Sequence, residues 1–209
     1  MGNAAYVTSR YGRHGGQCKV KSFGKDGSPA KFRSTEQAMG DKCRYNETRF
    51  SGEENTIYDE GSEVIEGGHS EAFERTSESA DELQETGGNR GRAYIYDTTV
   101  NPGMGIVSDE QAHQWVQAFR QELERDGHQV GGLQYAIHQN TAHTHVHVMY
   151  ATQKTIQKKT AHSIPYRMRQ HADRIHEQHQ VQDVKREQAQ TQCRDVDNDH
   201  ARDRGGSRR

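Results

Sequence analysis

Three histidines between residues 138 and 147 combine a residue type and a spacing that could do chemistry. His145 and His147 are separated by one residue, so on a strand they project from the same face, ~6.6 Å apart along the chain. His138 ends the apolar segment that precedes them. Neutral imidazoles are common metal ligands, and three of them leave coordination positions open, as a catalytic site requires. The pattern therefore predicts a catalytic metal centre with His138, His145 and His147 as ligands.

Two strands joined by a short polar link must position these ligands. The segments GLQYAIH at 132–138 and HTHVHVMYA at 143–151 have the composition and the alternation of strands, with four polar or small residues between them. A tight antiparallel connection brings His138 beside the other two ligands. Alternation also places His143 on their face. Because three ligands suffice, we interpret His143 as a neighbour of the site.

The region before these strands supplies another strand and a helix. The segment AYIYDTTV at 93–100 is rich in β-branched and aromatic residues. Ser108 and Gln111 form a capping-box pattern, and apolar residues follow at helical spacing until Gly127. The order strand, helix, strand, strand predicts an α+β fold, an antiparallel sheet with helices packed on one face.

Charge is distributed in blocks, although the net formal charge is only −2. Residues 1–50 contain ten Lys or Arg against four Asp or Glu, residues 51–89 contain one against twelve, and residues 154–209 contain thirteen against eight. A basic head and tail suit phosphate binding better than the net charge does. The acidic stretch has the composition of a linker or insertion, with at most a weakly anchored helix over 71–85.

The overall composition predicts one compact region with polar flanks, because only 30% of the residues are hydrophobic and the mean hydropathy is −1.18. Residues 163 to about 192 have the pattern of a surface helix, and residues 202–209 that of a disordered basic tail. Three cysteines without a CxxC pair indicate neither a disulfide framework nor a zinc ribbon. No apolar run reaches membrane-spanning length and the N-terminus lacks the apolar stretch typical of a signal peptide, so we expect a soluble, cytoplasmic protein.

The segment IHQNTAHTHVHV resembles the third motif of plasmid and integrative-element relaxases, which belong to the HUH endonucleases. In that motif a His is followed two positions on by an acidic or amide residue, and seven and nine positions on by a His-hydrophobe-His pair. The matching residues are His138, Asn140, His145, Val146 and His147. The resemblance implies that the three histidines form the metal site. Asn140 would orient a ligand by hydrogen bonding, since an amide cannot act as a base.

A second resemblance lies near the N-terminus. The residues AAYVTSR at 4–10 are similar to the segment that carries the nucleophile in the same relaxases. The resemblance implies that Tyr6 is the nucleophile, with Tyr11 in reserve. Basic residues of the same region are then expected to hold the DNA backbone. These residues are Arg10, Arg13, Lys19 and Lys21.

Together the two motifs imply a conjugative relaxase with an HUH endonuclease-like fold. Such an enzyme nicks one strand of single-stranded or supercoiled DNA at an origin of transfer through a tyrosyl-phosphate intermediate, with accessory mobilisation proteins as partners. Three imidazoles alone suit Zn, Cu, Ni or Fe, whereas the resemblance favours Mg or Mn. The expected organisation is an N-terminal part with the nucleophile (1–50), an acidic polar linker or insertion (51–92), an HUH metal-binding core (93–160), and a polar helix with a basic tail (161–209).

Three other hypotheses are compatible with these residues. In HUH rolling-circle replication initiators and transposases the tyrosine follows the histidines, often with a Lys four residues beyond it. Tyr150 and Tyr166 follow them here, but position 170 is Gln170. A non-catalytic, DNA-binding relaxase remnant is suggested by the five residues that precede Tyr6, where family members have a strand. The third hypothesis is an unrelated histidine-metal hydrolase or structural metal protein.

Overall fold

The computed structural model describes residues 6–15, 17–19, 32–48, 55–87, 91–139 and 142–204, with the backbone alone at positions 6, 10, 17–19, 32, 33 and 189–204. The elements in chain order are β1 (Tyr6–Arg13), β2 (Gln17–Lys19), β3 (Phe32–Ser34), α1 (Thr35–Thr48), β4 (Ile57–Asp59), α2 (Gly68–Thr86), β5 (Tyr94–Asn101), α3 (Asp109–Arg125), β6 (Val130–His138), β7 (His145–Thr152) and α4 (Lys158–Arg204). The predicted α+β class is confirmed.

Five of the strands form one sheet in the order β1-β5-β7-β6-β4, and its four strand pairings are all antiparallel. β2 and β3 form a separate two-stranded sheet. The predicted strands at 93–100, 132–138 and 143–151 correspond to β5, β6 and β7. β7 is the central strand, so the histidine pair that it carries is flanked by a strand on each side.

The two faces of the sheet carry different side chains. We call the face of His138, His145, His147 and Met149 the histidine face, since Ala136 pairs with His147 and Gln134 with Met149. The other, which we call the tyrosine face, carries Tyr11, Tyr96, Tyr135 and Tyr150, because Tyr11 pairs with Tyr96 and Tyr96 with Tyr150. All eight residues of β7 are buried, so both of its faces are covered.

Helices cover both faces, whereas the sequence predicted helices on one. On the histidine face, Met39 and Cys43 of α1 and Ala72 and Leu83 of α2 form one buried cluster with Met149 and neighbouring strand residues. On the tyrosine face, the ring of Phe119 in α3 packs edge-on against Tyr150, at 5.7 Å between centroids. Ile164 of α4 borders the same cavity as these two rings. The sheet is therefore the middle layer of three.

The acidic stretch contains more structure than its composition predicted. Residues 57–59 form β4, which pairs with β6, and residues 68–86 form α2. The buried side of α2 consists largely of small residues, Ala72, Thr76 and Ala80, together with Leu83. Small side chains allow the helix to lie close to the sheet without the apolar bulk that marks a core helix in a sequence. A count of large apolar residues therefore underestimated this helix.

A glycine permits the close approach of α2 to the sheet. The register of β6 against β7 shifts between Gly131 and Gln134, and Gly132 there has φ +54°. A Cβ atom at this position would lie 2.7 Å from the Cα of Thr76 in α2. The Thr76 hydroxyl donates a hydrogen bond to the Gly132 carbonyl at 2.8 Å. The bulge and the helix are thus fitted to each other.

The helix predicted after Ser108 is present with its cap. The Ser108 hydroxyl accepts from the Gln111 amide at 3.3 Å, and the Gln111 side chain accepts from the Ser108 amide at 3.2 Å. This reciprocal pair satisfies two amides at the start of α3.

The helix predicted from residue 163 corresponds to α4, which has Ile164, Met168 and Ala172 buried. α4 is described as far as Arg204, and the rest of the predicted tail, 205–209, lies outside the described residues. The chain divides into a unit of residues 1–172 and a unit of residues 173–209. Among the described helices, none combines the length and the apolarity needed to cross a membrane.

Candidate metal centre

The three predicted ligands come together on the histidine face. His138 at the end of β6 pairs directly with His145 at the start of β7, and His147 lies two residues further along β7. Their ring centroids are 4.7 to 5.3 Å apart. One nitrogen from each ring lies within 4.8 Å of the others, and each residue is at most 6% exposed. The antiparallel pairing of β6 with β7 thus produces a compact three-nitrogen cluster.

The imidazole of His138 is held by the end of α1. Its Nε2 lies 2.9 Å from the backbone carbonyl oxygen of Asn46, in a buried hydrogen bond. A carbonyl can only accept, so Nε2 carries the proton. In the neutral ring, Nδ1 is then the nitrogen with a lone pair, and it is the atom that can bind a metal ion.

The other two rings are oriented by different elements. Nδ1 of His147 lies 3.3 Å from the hydroxyl of Thr99 in β5, and Nδ1 of His145 lies 3.4 Å from the carbonyl oxygen of His143. With Nδ1 engaged in these contacts, Nε2 of each ring is the atom that can bind a metal ion. The His143 carbonyl can only accept and so fixes the tautomer of His145, whereas the Thr99 hydroxyl can donate to His147 or accept from it. The cluster can therefore provide one Nδ1 and two Nε2 atoms.

This donor set fits a divalent metal ion. The three histidines are buried, close together and supplied by adjacent strands, and hydrogen bonds to α1, to β5 and to the chain just before β7 orient the rings. Metal binding needs neutral imidazoles, and the hydrogen bond to the Asn46 carbonyl is compatible with that form. Three protein ligands leave positions for a substrate oxygen.

Sequence analysis did not predict several residues that surround this cluster. Asn46, whose carbonyl holds His138, donates from its side chain to a carboxylate oxygen of Asp97 at 3.2 Å, and both residues are buried. Asn55 donates from its side chain to the carbonyl oxygen of Asn46. A signal for the helix existed, since Ser34 accepts from the amide of Gln37 as a helix-starting residue does. Nothing in the sequence connected that helix to the histidines.

His143 is placed beside the cluster rather than in it. Its Nδ1 lies 3.1 Å from the carbonyl oxygen of Met104, in the loop that follows β5. It is not among the three residues whose nitrogens converge. This position agrees with its interpretation as a neighbour.

The predicted DNA contacts are only partly described. Arg13 at the end of β1 is exposed and its Cα pairs with Tyr94. Arg10 and Lys19 have a described backbone in β1 and β2, and Lys21 lies outside the described residues, as does Asn140. The roles assigned to these residues remain predictions.

The backbone of Tyr6 begins β1, at the register position of Asn101 in β5. Two residues later Thr8 pairs with Thr99, and Thr99 in turn pairs with His147. With adjacent strands roughly 4.8 Å apart, the Tyr6 end of β1 runs about 10 Å from β7. The order of the strands brings the N-terminal motif and the histidines to neighbouring parts of one sheet.

The alternative tyrosines lie elsewhere. The exposed ring of Tyr11 stacks on Tyr96 at 5.0 Å, which places it on the tyrosine face and on the wrong side of the sheet for a reserve nucleophile. Tyr150 is fully buried on that face, and burial raises the pKa of its hydroxyl. Tyr166 is an exposed residue of α4. The geometry therefore supports neither Tyr11 nor Tyr150 as the attacking group.

Comparison with known proteins identifies the family. A model of the MobA/VirD2-like relaxase nuclease domain matches residues 45–181, which include all three histidines and begin after Tyr6. Comparisons with curated proteins and with solved structures gave no match. Members of the matching family are DNA endonucleases that act at origins of transfer, and the α+β fold and the three-histidine cluster agree with this assignment. The match covers more than half of the chain, and the chain therefore belongs to the MobA/VirD2-like relaxase family.

Proposed function

We propose that this relaxase nicks one DNA strand at an origin of transfer by direct attack of the Tyr6 hydroxyl on a phosphodiester, for conjugative transfer or mobilisation. The observation that carries the proposal is the buried three-histidine cluster in a chain of the relaxase nuclease family. The register of β1, which starts with Tyr6 two strands from β7, supports the choice of nucleophile.

The proposed step exchanges one phosphodiester for another. The phenolic oxygen of Tyr6 bonds to phosphorus, the bond to the 3′ oxygen breaks, and the proton lost by the phenol is balanced by the one gained by the 3′-hydroxyl. A 5′-phosphotyrosyl bond results, so the strand can later be rejoined without ATP. A phenol has a pKa near 10, and therefore its attack at neutral pH needs assistance. A bound Mg or Mn ion would supply it by polarising the scissile phosphate.

The chain's own residues have separate tasks in this proposal. His138, His145 and His147 hold the ion, while the carbonyl oxygens of Asn46 and His143 keep His138 and His145 in a single tautomer and the Thr99 hydroxyl orients His147. Basic residues of the N-terminal region contact phosphates and contribute affinity rather than sequence choice. These are Arg10, Arg13, Lys19 and Lys21. We expect the reaction to take place in the cytoplasm together with accessory mobilisation proteins.

A covalent mechanism is tested by Tyr6→Phe, which removes the attacking oxygen with little change in shape. The variant should bind DNA and metal like the parent, yet nick supercoiled origin DNA at least ~1,000-fold more slowly. It should form no protein-DNA adduct that survives denaturation. Tyr11→Phe is the matched control and should retain both activities, because that ring lies on the tyrosine face.

Two outcomes would contradict the proposal. If Tyr6→Phe still forms the adduct and Tyr166→Phe or Tyr150→Phe does not, the nucleophile follows the histidines in sequence. That is the order found in replication initiators and transposases. DNA binding without any adduct, in the parent protein and on cognate origin DNA, would indicate a non-catalytic remnant.

A further inference from the structure

We propose that Asn55 is a positioning residue of the metal centre, which fixes the tautomer of His138 by holding the last turn of α1. The proposal rests on the metal site described above. Asn55 lies far from the histidines in sequence and touches none of them in the described contacts. Its effect would pass through one backbone carbonyl, that of Asn46.

The end of α1 has carbonyl groups that the helix itself cannot satisfy. The last four carbonyls of any helix lack an intrahelical donor, and Asn46 and Glu47 belong to the last four residues of α1. The Asn55 amide donates to the Glu47 oxygen at 2.7 Å, and its side-chain nitrogen lies 3.2 Å from the oxygens of both Asn46 and Glu47. Asn55 thus acts as the cap of this helix end.

The same Asn46 oxygen is the acceptor for His138. The Asn46 oxygen accepts from both the Asn55 side chain and Nε2 of His138, which is as many hydrogen bonds as its two lone pairs can take. His138 is 1% exposed, so water cannot replace the carbonyl without rearrangement. The direction in which Asn46 presents its oxygen therefore decides which nitrogen of His138 carries the proton.

The helix end also has an electrostatic effect on the ligand. Carbonyls at a helix C-terminus carry partial negative charge, and an acceptor on the distal imidazole nitrogen makes the metal-binding nitrogen more basic. A well-capped turn keeps the partially negative Asn46 oxygen against Nε2 of His138. A frayed turn would let the ring sample the other tautomer, in which the proton occupies the metal-binding atom.

The turn is also tied to the sheet. The side-chain nitrogen of Asn46 donates to Asp97 of β5 at 3.2 Å, and two residues along β5 Thr99 contacts His147. The end of α1 and the middle of β5 thus form one frame around two of the three ligands. Asn55 contacts the same turn from the segment that leads into β4, the strand paired with β6.

The test uses Asn55→Asp, which keeps the shape of the side chain but removes both of its N–H donors and sets a carboxylate against carbonyl oxygens. Titration calorimetry with Mn should give a Kd about 10-fold weaker than that of the parent, at the lower end of what outer hydrogen-bond partners of metal ligands contribute. Nitrogen NMR of the metal-free protein should show a reduced Nε2–H population at His138. Asn55→Ala provides a second, uncharged variant if the aspartate prevents folding.

Thr48→Ala is the matched control. Its hydroxyl donates to the Arg44 carbonyl at 2.9 Å in the same helix end, but it does not contact the Asn46 oxygen in the described contacts. This variant should leave the Kd and the tautomer unchanged, even if it lowers the melting temperature slightly.

The outcomes separate this inference from the proposed function. If both Asn55 variants melt at a lower temperature but keep the parent's tautomer and Kd, Asn55 is a helix cap only and the inference is wrong. If the parent binds no metal, the proposed function fails, while the NMR measurement still decides whether Asn55 controls the His138 tautomer.

Discussion

On the histidine face the strands present imidazoles, Asp97 and Thr99 to α1 and α2, whereas on the tyrosine face they present stacked rings to α3 and α4. The two faces share the strands β5, β6 and β7 and are both buried under helices. They differ in how specific each contact must be. On the histidine face each imidazole makes a directional hydrogen bond through one ring nitrogen. The hydrogen-bonding groups belong to α1, β5 and the chain just before β7.

The tyrosine face is built from contacts that depend mainly on area and shape. Tyr11, Tyr96 and Tyr150 form a stacked column with centroids 5.0 and 5.4 Å apart. Burial raises the pKa of Tyr96 to about 12, so its hydroxyl stays protonated at neutral pH, and it accepts a hydrogen bond from the Ile156 amide. Stacked phenol rings stabilise the fold through buried area and ring contact. The polar contacts that orient the three histidines thus lie on one side of the sheet, and the stacked phenol rings lie on the other.

Loss of a ligand should have the largest effect, and it should be confined to the histidine face. Alanine at His138, His145 or His147 should weaken Mn binding by more than ~100-fold, because the two remaining nitrogens no longer define the site. This loss exceeds the one expected when a hydrogen-bond partner of a metal ligand is removed. His143→Ala is the control, since its ring contacts the Met104 carbonyl instead. Calorimetry of the four variants measures this, and equal losses in all four would contradict the three-ligand assignment.

A cavity on the tyrosine face should produce the reverse pattern. Phe119 is 1% exposed and packs edge-on against Tyr150, so Phe119→Ala should lower the free energy of unfolding by about 3–5 kcal/mol. Mn affinity of the folded fraction should stay within about twofold of the parent. Denaturant unfolding measures the loss of stability, and calorimetry measures the Mn affinity. A large loss of affinity would show that the two faces are coupled through β7.

The smallest effect should come from an ion pair between the helices of the tyrosine face. The hydrogen bond from Arg167 is the main cause that lowers the pKa of Asp126, and the guanidinium contacts both carboxylate oxygens, at 3.1 and 2.5 Å. The lowered pKa of Asp126 stabilises the folded protein at any pH above ~3.9, the pKa of Asp in the unfolded chain. This stabilisation is lost as the pH falls through the pKa of Asp126 in the folded state.

Asp126→Asn should therefore unfold about 1 kcal/mol more easily at pH 7, and the difference should shrink towards zero in strong acid. Urea unfolding of both proteins at several pH values measures the change. A difference that stays constant with pH would mean that the geometry of the pair, and not its charge, stabilises the fold.

Local patterns in the sequence determined much of the framework around the site. The period-two alternation of HTHVHVMYA, the short link after His138 and the capping box at Ser108 each involve residues a few positions apart, so spacing alone predicts the strands, the helix and the convergence of three imidazoles. The resemblance added Tyr6, whose role stays a prediction. Composition underestimated α2, because its buried side consists largely of small residues, Ala72, Thr76 and Ala80, together with Leu83.

Only the tertiary structure decided what holds the ligands in place. Asn46 is 92 positions from His138 in sequence, and Asn55 reaches the same carbonyl from outside the helix. A contact made by a backbone oxygen cannot be predicted from the type of the side chain. Sequence periodicity relates residues within one element, so it cannot predict that α1 contacts β6. The covering of both faces was decided in the same way, because helix placement depends on which surfaces the folded sheet leaves to be buried.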